Sequence, residues 1–155
     1  MALSAVLLIL KTFVVDIFVV EGKSMEGSIS EKSVVFENKL AYGLVNPFKM
    51  CYIVKWAEPR VGDVVFFPLD GKMILKRCVA TEGTPLFYQN NDGYFLYVND
   101  AKIPLSESQY QRIKSSPEVP KGMILAIGDN YDESIDSRNY GFVDTEYILG
   151  KAFNE

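Results

Sequence analysis

The 155-residue chain contains no histidine. That absence excludes an imidazole as general base, so a serine nucleophile here must be activated by a carboxylate, the amino terminus or a lysine. Cysteine is scarce too. Cys51 and Cys78 match no zinc-ligand spacing and are too few for a disulfide framework, so they do not report a redox compartment. Runs of one charge are missing: 16 basic against 20 acidic side chains leave a net charge of -4, and without a basic stretch nucleic acid is not an expected partner. Nor is any apolar run long enough to cross a bilayer. Met1–Leu10 is apolar apart from Ser4, Lys11 and Asp16 then interrupt, and ten helical residues reach roughly half of a hydrocarbon core. A secretory signal fits poorly, because no basic region precedes the apolar run and no small-residue cleavage pattern precedes Ser24. The segment reads either as the trailing end of a membrane anchor or as a first helix and strand of the core.

What remains is a foldable chain with a β pattern. Its 48% apolar and 13% aromatic content is ample for a core, and a chain of this length is one domain's worth. Short β-rich runs stand at 33–37, 51–56 and 62–67, the last ending at Pro68. Asp70-Gly71 signals a tight hairpin leading into the run Met73–Ala80. Tyr94–Val98, Asn99-Asp100 and Ala101–Pro104 read as a second hairpin, and Met123–Ile127 as a final strand. Helical periodicity is weak except at Glu107–Ile113. Residues 82–118 are richer in Asn, Gly, Ser and Pro than their flanks, which suggests an excursion inserted into the main sheet.

Three constellations carry chemistry. Ser24 follows the apolar opening in Glu21-Gly22-Lys23-Ser24-Met25. Lys76 lies on the Met73–Ala80 strand, where alternation puts Ile74, Lys76, Cys78 and Ala80 on one face and Met73, Leu75, Arg77 and Val79 on the other. One of two adjacent cations can thus sit among apolar neighbours, where burial disfavours the charged amine and lowers its pKa. Alone, each residue also fits a plainer reading: a surface-turn serine, and a lysine whose stem packs on the sheet while its ammonium reaches water. The third constellation is the polar loop Gly128–Gly141, in which Asp136 and Arg138 can form an ion pair.

Together these pieces resemble the type I signal peptidases of bacteria, membrane-bound serine proteases with a serine-lysine dyad. Gly22-Lys23-Ser24-Met25 is similar to the family's nucleophile motif, Gly62-Asp63-Val64-Val65-Phe66 to its glycine-aspartate strand, and Lys76-Arg77 to its general-base motif. Gly128-Asp129-Asn130 with Ser134, Asp136, Ser137, Arg138 and Gly141 resembles its last motif. The stretches Asn38–Gly43, Pro47-Phe48 and Val119–Gly122 also resemble family text.

The resemblance implies a mainly β architecture, an antiparallel sheet or barrel-like catalytic domain over 16–155 with an excursion at about 82–118, preceded by an apolar membrane-associated segment at 1–15. It implies that Ser24 attacks the scissile carbonyl of a signal peptide at an Ala-x-Ala-type site while neutral Lys76 accepts its proton. Ser134 would hydrogen-bond and orient the Lys76 amine. Asp129, Asp136 and Arg138 would hold the polar loop, and the Ser24 N–H would meet the oxyanion. Gly22 stands where some members carry an extra hydroxyl donor. Val20 and Leu75 stand where the family lines the pockets for the small residues at -1 and -3. No metal or organic cofactor is implied. The partners implied are signal peptides and a membrane lipid surface, with the catalytic domain on the extracytoplasmic face of the cell membrane. Gly27-Ser28 replaces the usual Pro-Thr, an expected softening of the nucleophile turn. Two other readings share these residues: a protease dedicated to one secreted partner, such as a pilus or conjugation component, and a non-catalytic binder of extended peptides. A self-cleaving repressor would need a DNA-binding domain and a scissile segment before the serine, for which the twenty residues ahead of Ser24 leave no room.

Overall fold

The structure, a computed structural model, describes residues 2–153. In chain order it runs α1 (Ala2–Phe13), β1 (Val15–Val19), β2 (Val34–Asn38), β3 (Gly43–Asn46), β4 (Cys51–Lys55), β5 (Val64–Leu69), β6 (Lys72–Thr81), β7 (Phe87–Gln89), β8 (Tyr94–Val98), β9 (Ala101–Leu105), α2 (Glu107–Ile113), β10 (Met123–Ile127), α3 (Ser137–Tyr140), β11 (Val143–Asp144) and β12 (Gly150–Ala152). Seven strands form one antiparallel sheet in the order β1-β2-β12-β5-β6-β10-β11, while β3-β4 and β7-β8-β9 form smaller sheets. The protein is mainly β.

The tightest local determinants lie where the turn chemistry is strongest. Asp70 and Gly71 take φ of 49° and 75°, the paired positive angles that two-residue hairpins need, and they set the β5–β6 register Leu69↔Lys72 through Val64↔Arg77. Pro68 does not end β5. It pairs with Met73 beyond the point where β12 stops at Gly150↔Phe66, so its missing N–H is not needed on the second edge. Ser106 and Gln109 cap α2 reciprocally. The strands β3, β7, β11 and β12 lie outside every sequence expectation because they are two to four residues long, too short to alternate.

Three packed clusters frame the fold. Met25, Ile29, Val35, Val64, Phe66 and Ala152 form one, with Phe18, Val20, Met73 and Leu75 against it. β1 and β6 are four positions apart in the sheet order yet share this cluster, so the sheet curls until they face each other across a cleft. A second cluster joins β5, β6 and β10 through Val65, Phe67, Cys78, Ile124 and Ala126. The third packs β8, β9 and α2 onto Leu125 and Ile127 of β10, seating the excursion beside the polar loop. Cys51 is exposed on β4 and Cys78 is buried in β6; both are free thiols.

Helix α1 stands away from these clusters. Leu3, Val6, Leu7, Leu8, Ile9 and Leu10 are all exposed, and 12 residues span only about 18 Å. Among the described residues no helix is long and apolar enough to cross a membrane.

Candidate active site

Alternation on β6 turns Lys76, Cys78 and Ala80 inward. Lys76 is 4% exposed, and its Nζ lies 2.7 Å from Ser24 Oγ and 3.0 Å from the Leu75 carbonyl. Burial lowers the pKa of this amine, a trend opposed by the charges of Asp136 and Asp129 and aided by that of Arg138.

Ser24 comes to this position through its neighbours. Met25, 1% exposed, plugs the core, and the Ser28 and Ile29 N–H groups close back on its carbonyl at 3.2 and 2.9 Å. Gly27 has φ of 111°, a conformation that L side chains rarely adopt. The Ser28 hydroxyl donates to Asp129 Oδ2 and ties the turn to the polar loop. From the other side the Asn130 N–H donates to the Ser24 carbonyl at 3.1 Å. The Ser24 N–H takes no backbone partner among the described residues, leaving it available to an incoming oxygen.

Arg77 faces the opposite side of β6 from Lys76. It grips Asp129 in a fork, Nε to Oδ1 and Nη2 to Oδ2, both at 2.8 Å, and donates to the Gly62 carbonyl at 2.8 Å. Burial raises the Asp129 pKa, but the bonds from Arg77 and Ser28 outweigh it and hold the carboxyl below its usual range. Asp63 anchors the start of β5 in the same manner, accepting from Tyr42 Oη, the Arg60 N–H and Lys151 Nζ.

In the polar loop, Asp136 caps α3 and is fully buried. Its two oxygens accept from the Gly128 N–H, the Arg138 N–H, Arg138 Nε and Arg138 Nη2 at 2.9–3.1 Å. Arg138, 2% exposed, also donates to the carbonyls of Pro104, Tyr131 and Ser134, joining β9 of the excursion to the loop. Asp129 belongs to a separate clamp, with Arg77 and Ser28.

One expectation is corrected. Ser134 is buried beside Gly128, but its Oγ has no hydrogen-bond partner, so the bond to the Lys76 amine is not formed. The amine is instead engaged by Ser24 Oγ and the Leu75 carbonyl. Gly128 has to be glycine, since a Cβ there would collide with Ser134 Oγ and the Ser24 carbonyl. Sequence reasoning also missed the Ser28 link and the Asn130 N–H, which no composition signal marks.

Val20 and Leu75 line, with Ser24 and Lys76, a cleft of about 620 Å³ between the end of β1 and the first half of β6. Strand β10 covers β6 only from Arg77 to Thr81. Among the described residues, 72–76 therefore keep one strand edge unpaired on the side away from β5.

The family described as "Signal peptidase, peptidase S26" matches residues 1–154. The chain belongs to this family. It is 28% identical to the signal peptidase I of Bacillus caldolyticus over 92% of this chain and 80% of that protein. Against the signal peptidase I of Pseudomonas fluorescens the identity is 26%, over 96% of this chain and 66% of that protein. Against the signal peptidase IB of Staphylococcus aureus it is 26%, over 95% and 80%. A solved signal peptidase I from Enterococcus faecalis V583 aligns at 27% identity over 61% of this chain and 97% of that one, with a TM-score of 0.44. Family membership makes the chain a peptidase.

Proposed function

We propose that the protein is a membrane-associated serine endopeptidase that removes signal peptides from secretory preproteins after Ala-x-Ala-type sites, with Ser24 as nucleophile and Lys76 as general base. The observation that carries this reading is the 2.7 Å contact between a buried lysine amine and a serine hydroxyl in a chain without histidine. Ammonium burial is costly, so the neutral amine becomes accessible at lower pH than in water, and its lone pair can then accept the Ser24 proton.

The substrate lies extended along the unpaired edge of β6 at residues 72–76, as an added strand. Its small side chains at -1 and -3 enter the shallow cleft beside Val20 and Leu75. Ser24 Oγ bonds to the scissile carbonyl carbon as its proton passes to Lys76 Nζ, and the Ser24 N–H receives the developing oxyanion. Collapse breaks the C–N bond while the Lys76 ammonium returns its proton to the leaving amine. Water, deprotonated by the same amine, then releases the acyl group. The Asp129 clamp and the Asp136–Arg138 pair position the two loops. The exposed apolar face of α1 rests against lipid, with the catalytic sheet on the extracytoplasmic side of the cell membrane.

The test is cleavage in detergent of a secretory precursor carrying an Ala-x-Ala site, with the new amino terminus sequenced. Cleavage after the second Ala by the wild type, and by neither Ser24→Ala nor Lys76→Ala, is the expected result. Undiminished cleavage by Lys76→Ala would overturn the dyad, and no cleavage by the wild type would favour a protease dedicated to one partner or a peptide-binding role.

A further inference from the structure

Behind Phe18 and Met73, which it shares with the cleft, lies a second cavity of about 170 Å³ at the junction of α1, β1, β2 and the β3–β4 hairpin. Its walls are largely apolar, built from Phe13, Val45, Pro47, Met50 and Leu149. One group is out of place there. Glu37, on the inward face of β2, is 1% exposed, and its buried Oε1 has no hydrogen-bond partner. Room for the carboxyl is made by Gly150 of β12, where a Cβ would collide with Glu37 Cγ and Oε1. A buried carboxylate without a donor is costly, and such groups are normally paired or hydrogen-bonded.

The surrounding charges decide what would satisfy it. Asp16 of β1 also lines the cavity, but its charge is taken by Lys39 Nζ at 2.8 Å. Lys39 is spent on that contact and on the Lys11 carbonyl of α1. Tyr52 of β4 gives its hydroxyl to the Ile148 carbonyl, and Lys151 of β12 reaches the opposite way to Asp63. Glu37 is thus a buried carboxyl in the wall of a largely apolar cavity, with no bonded cation among the described residues. An engineered apolar cavity of about 150 Å³ admits benzene, so the present volume suits a body of six to eight heavy atoms, on the order of that ring.

We propose that this cavity binds an alkylammonium group, its hydrocarbon among Phe13, Val45, Met50 and Leu149 and its ammonium donating to Glu37. The site is separate from the proposed peptidase chemistry and does not depend on it. Burial lifts the Glu37 carboxyl to about 7, against the opposing charge of Lys39 and with that of Asp16. Amine binding therefore expels a proton, and affinity rises about tenfold from pH 6 to pH 8, the ratio of ionised fractions for such a carboxyl.

The test is calorimetric titration of the full chain with n-hexylamine and n-hexanol at pH 8. One amine per protein, bound about tenfold or more tighter than the alcohol, is expected. The isosteric Glu37→Gln should abolish that preference, and Met50→Trp, which narrows the cavity without touching Glu37, should weaken both ligands. Equal binding of amine and alcohol, an amine affinity unchanged in Glu37→Gln, or no saturable binding at all would overturn the proposal. Flotation with phosphatidylethanolamine against phosphatidylcholine vesicles names the natural source. A Glu37-dependent preference for the primary amine assigns a lipid headgroup, and equal flotation assigns a free amine.

Discussion

Replacing Asp136 by Asn removes one charge from a site where nothing else can take its place. Arg138 is 2% exposed, and its remaining partners are three carbonyl oxygens, which carry dipoles but no countercharge. Breaking a buried pair from one side costs about 3–5 kcal/mol, a large share of the 5–15 kcal/mol that typically holds a domain together. In a chain of this size that corresponds to a fall in Tm of roughly 6–20 °C. Urea unfolding of the wild type, Asp136→Asn, Arg138→Met and the double variant checks it. The double variant should lose at least about 2 kcal/mol less than the single losses combined, because removing both partners leaves no stranded charge. Activity supplies a readout that a merely structural role would not move. Asp136 raises the Lys76 pKa and Arg138 lowers it, so the acid limb of the pH–rate profile should shift to lower pH in Asp136→Asn and to higher pH in Arg138→Met. Single-variant losses under about 1 kcal/mol, or limbs displaced in the same direction, would refute the reasoning.

The wild-type profile itself should rise with pH to a midpoint below the ordinary lysine value of about 10.4, because burial favours the neutral amine of Lys76; a flat rate from neutral to alkaline pH would exclude a lysine base. Ser28→Ala should remove the hydroxyl on Asp129 and cut kcat by roughly 2- to 10-fold, equivalent to one ordinary hydrogen bond, while Ser28→Thr restores it; equal rates in all three would leave the turn without a role. Glu37 is protonated in the fold up to about 7, against 4.5 unfolded, so its contribution is full below pH 4.5 and is lost as pH rises through 7. At about 1.36 kcal/mol per pH unit the wild type should lose about 3 kcal/mol relative to Glu37→Gln between pH 4.5 and pH 8, measured by urea unfolding, and parallel pH dependences would contradict the burial.

The legible parts of this fold are those where local chemistry and tertiary demand coincide. Asp70-Gly71 has one good backbone solution, so β5 and β6 could be placed from the sequence. The same holds for Asn99, whose φ of 49° turns β8 into β9. Alternation on β6 put Lys76 and Arg77 on opposite faces without saying which face is inward, and burial follows the Lys76 face from Lys76 to Ala80. Illegible were the contacts whose partner is a backbone group distant in sequence. Nothing about Asn130 announces that its N–H holds the Ser24 carbonyl, and nothing about Gly150 announces the glutamate beside it. Glu37 is the sharpest case: in the run Val34–Asn38 its charge reads as a solvent-facing position, yet its side chain points inward with Val35. Ser134 failed for another reason. The motif places it near the lysine, but hydroxyl partners depend on rotamer and protonation state, which spacing does not encode.

Two adjacent residues on one strand organise the whole site. Because successive side chains leave a strand on opposite faces, Lys76 enters the core beside Ser24 while Arg77 emerges to grip Asp129. Asp129 in turn receives Ser28, which is only four positions from Ser24. Lys76 and the clamp on the Ser24 loop therefore share one backbone, with β5 and β10 on either side of Arg77. Through Arg77 and Asp129 the Ser24 turn is thus tied to the same strand that carries the lysine. For the dyad proposed above, that linkage gives a loop-borne Ser24 the positional accuracy that proton transfer over about 2.6–3.2 Å demands.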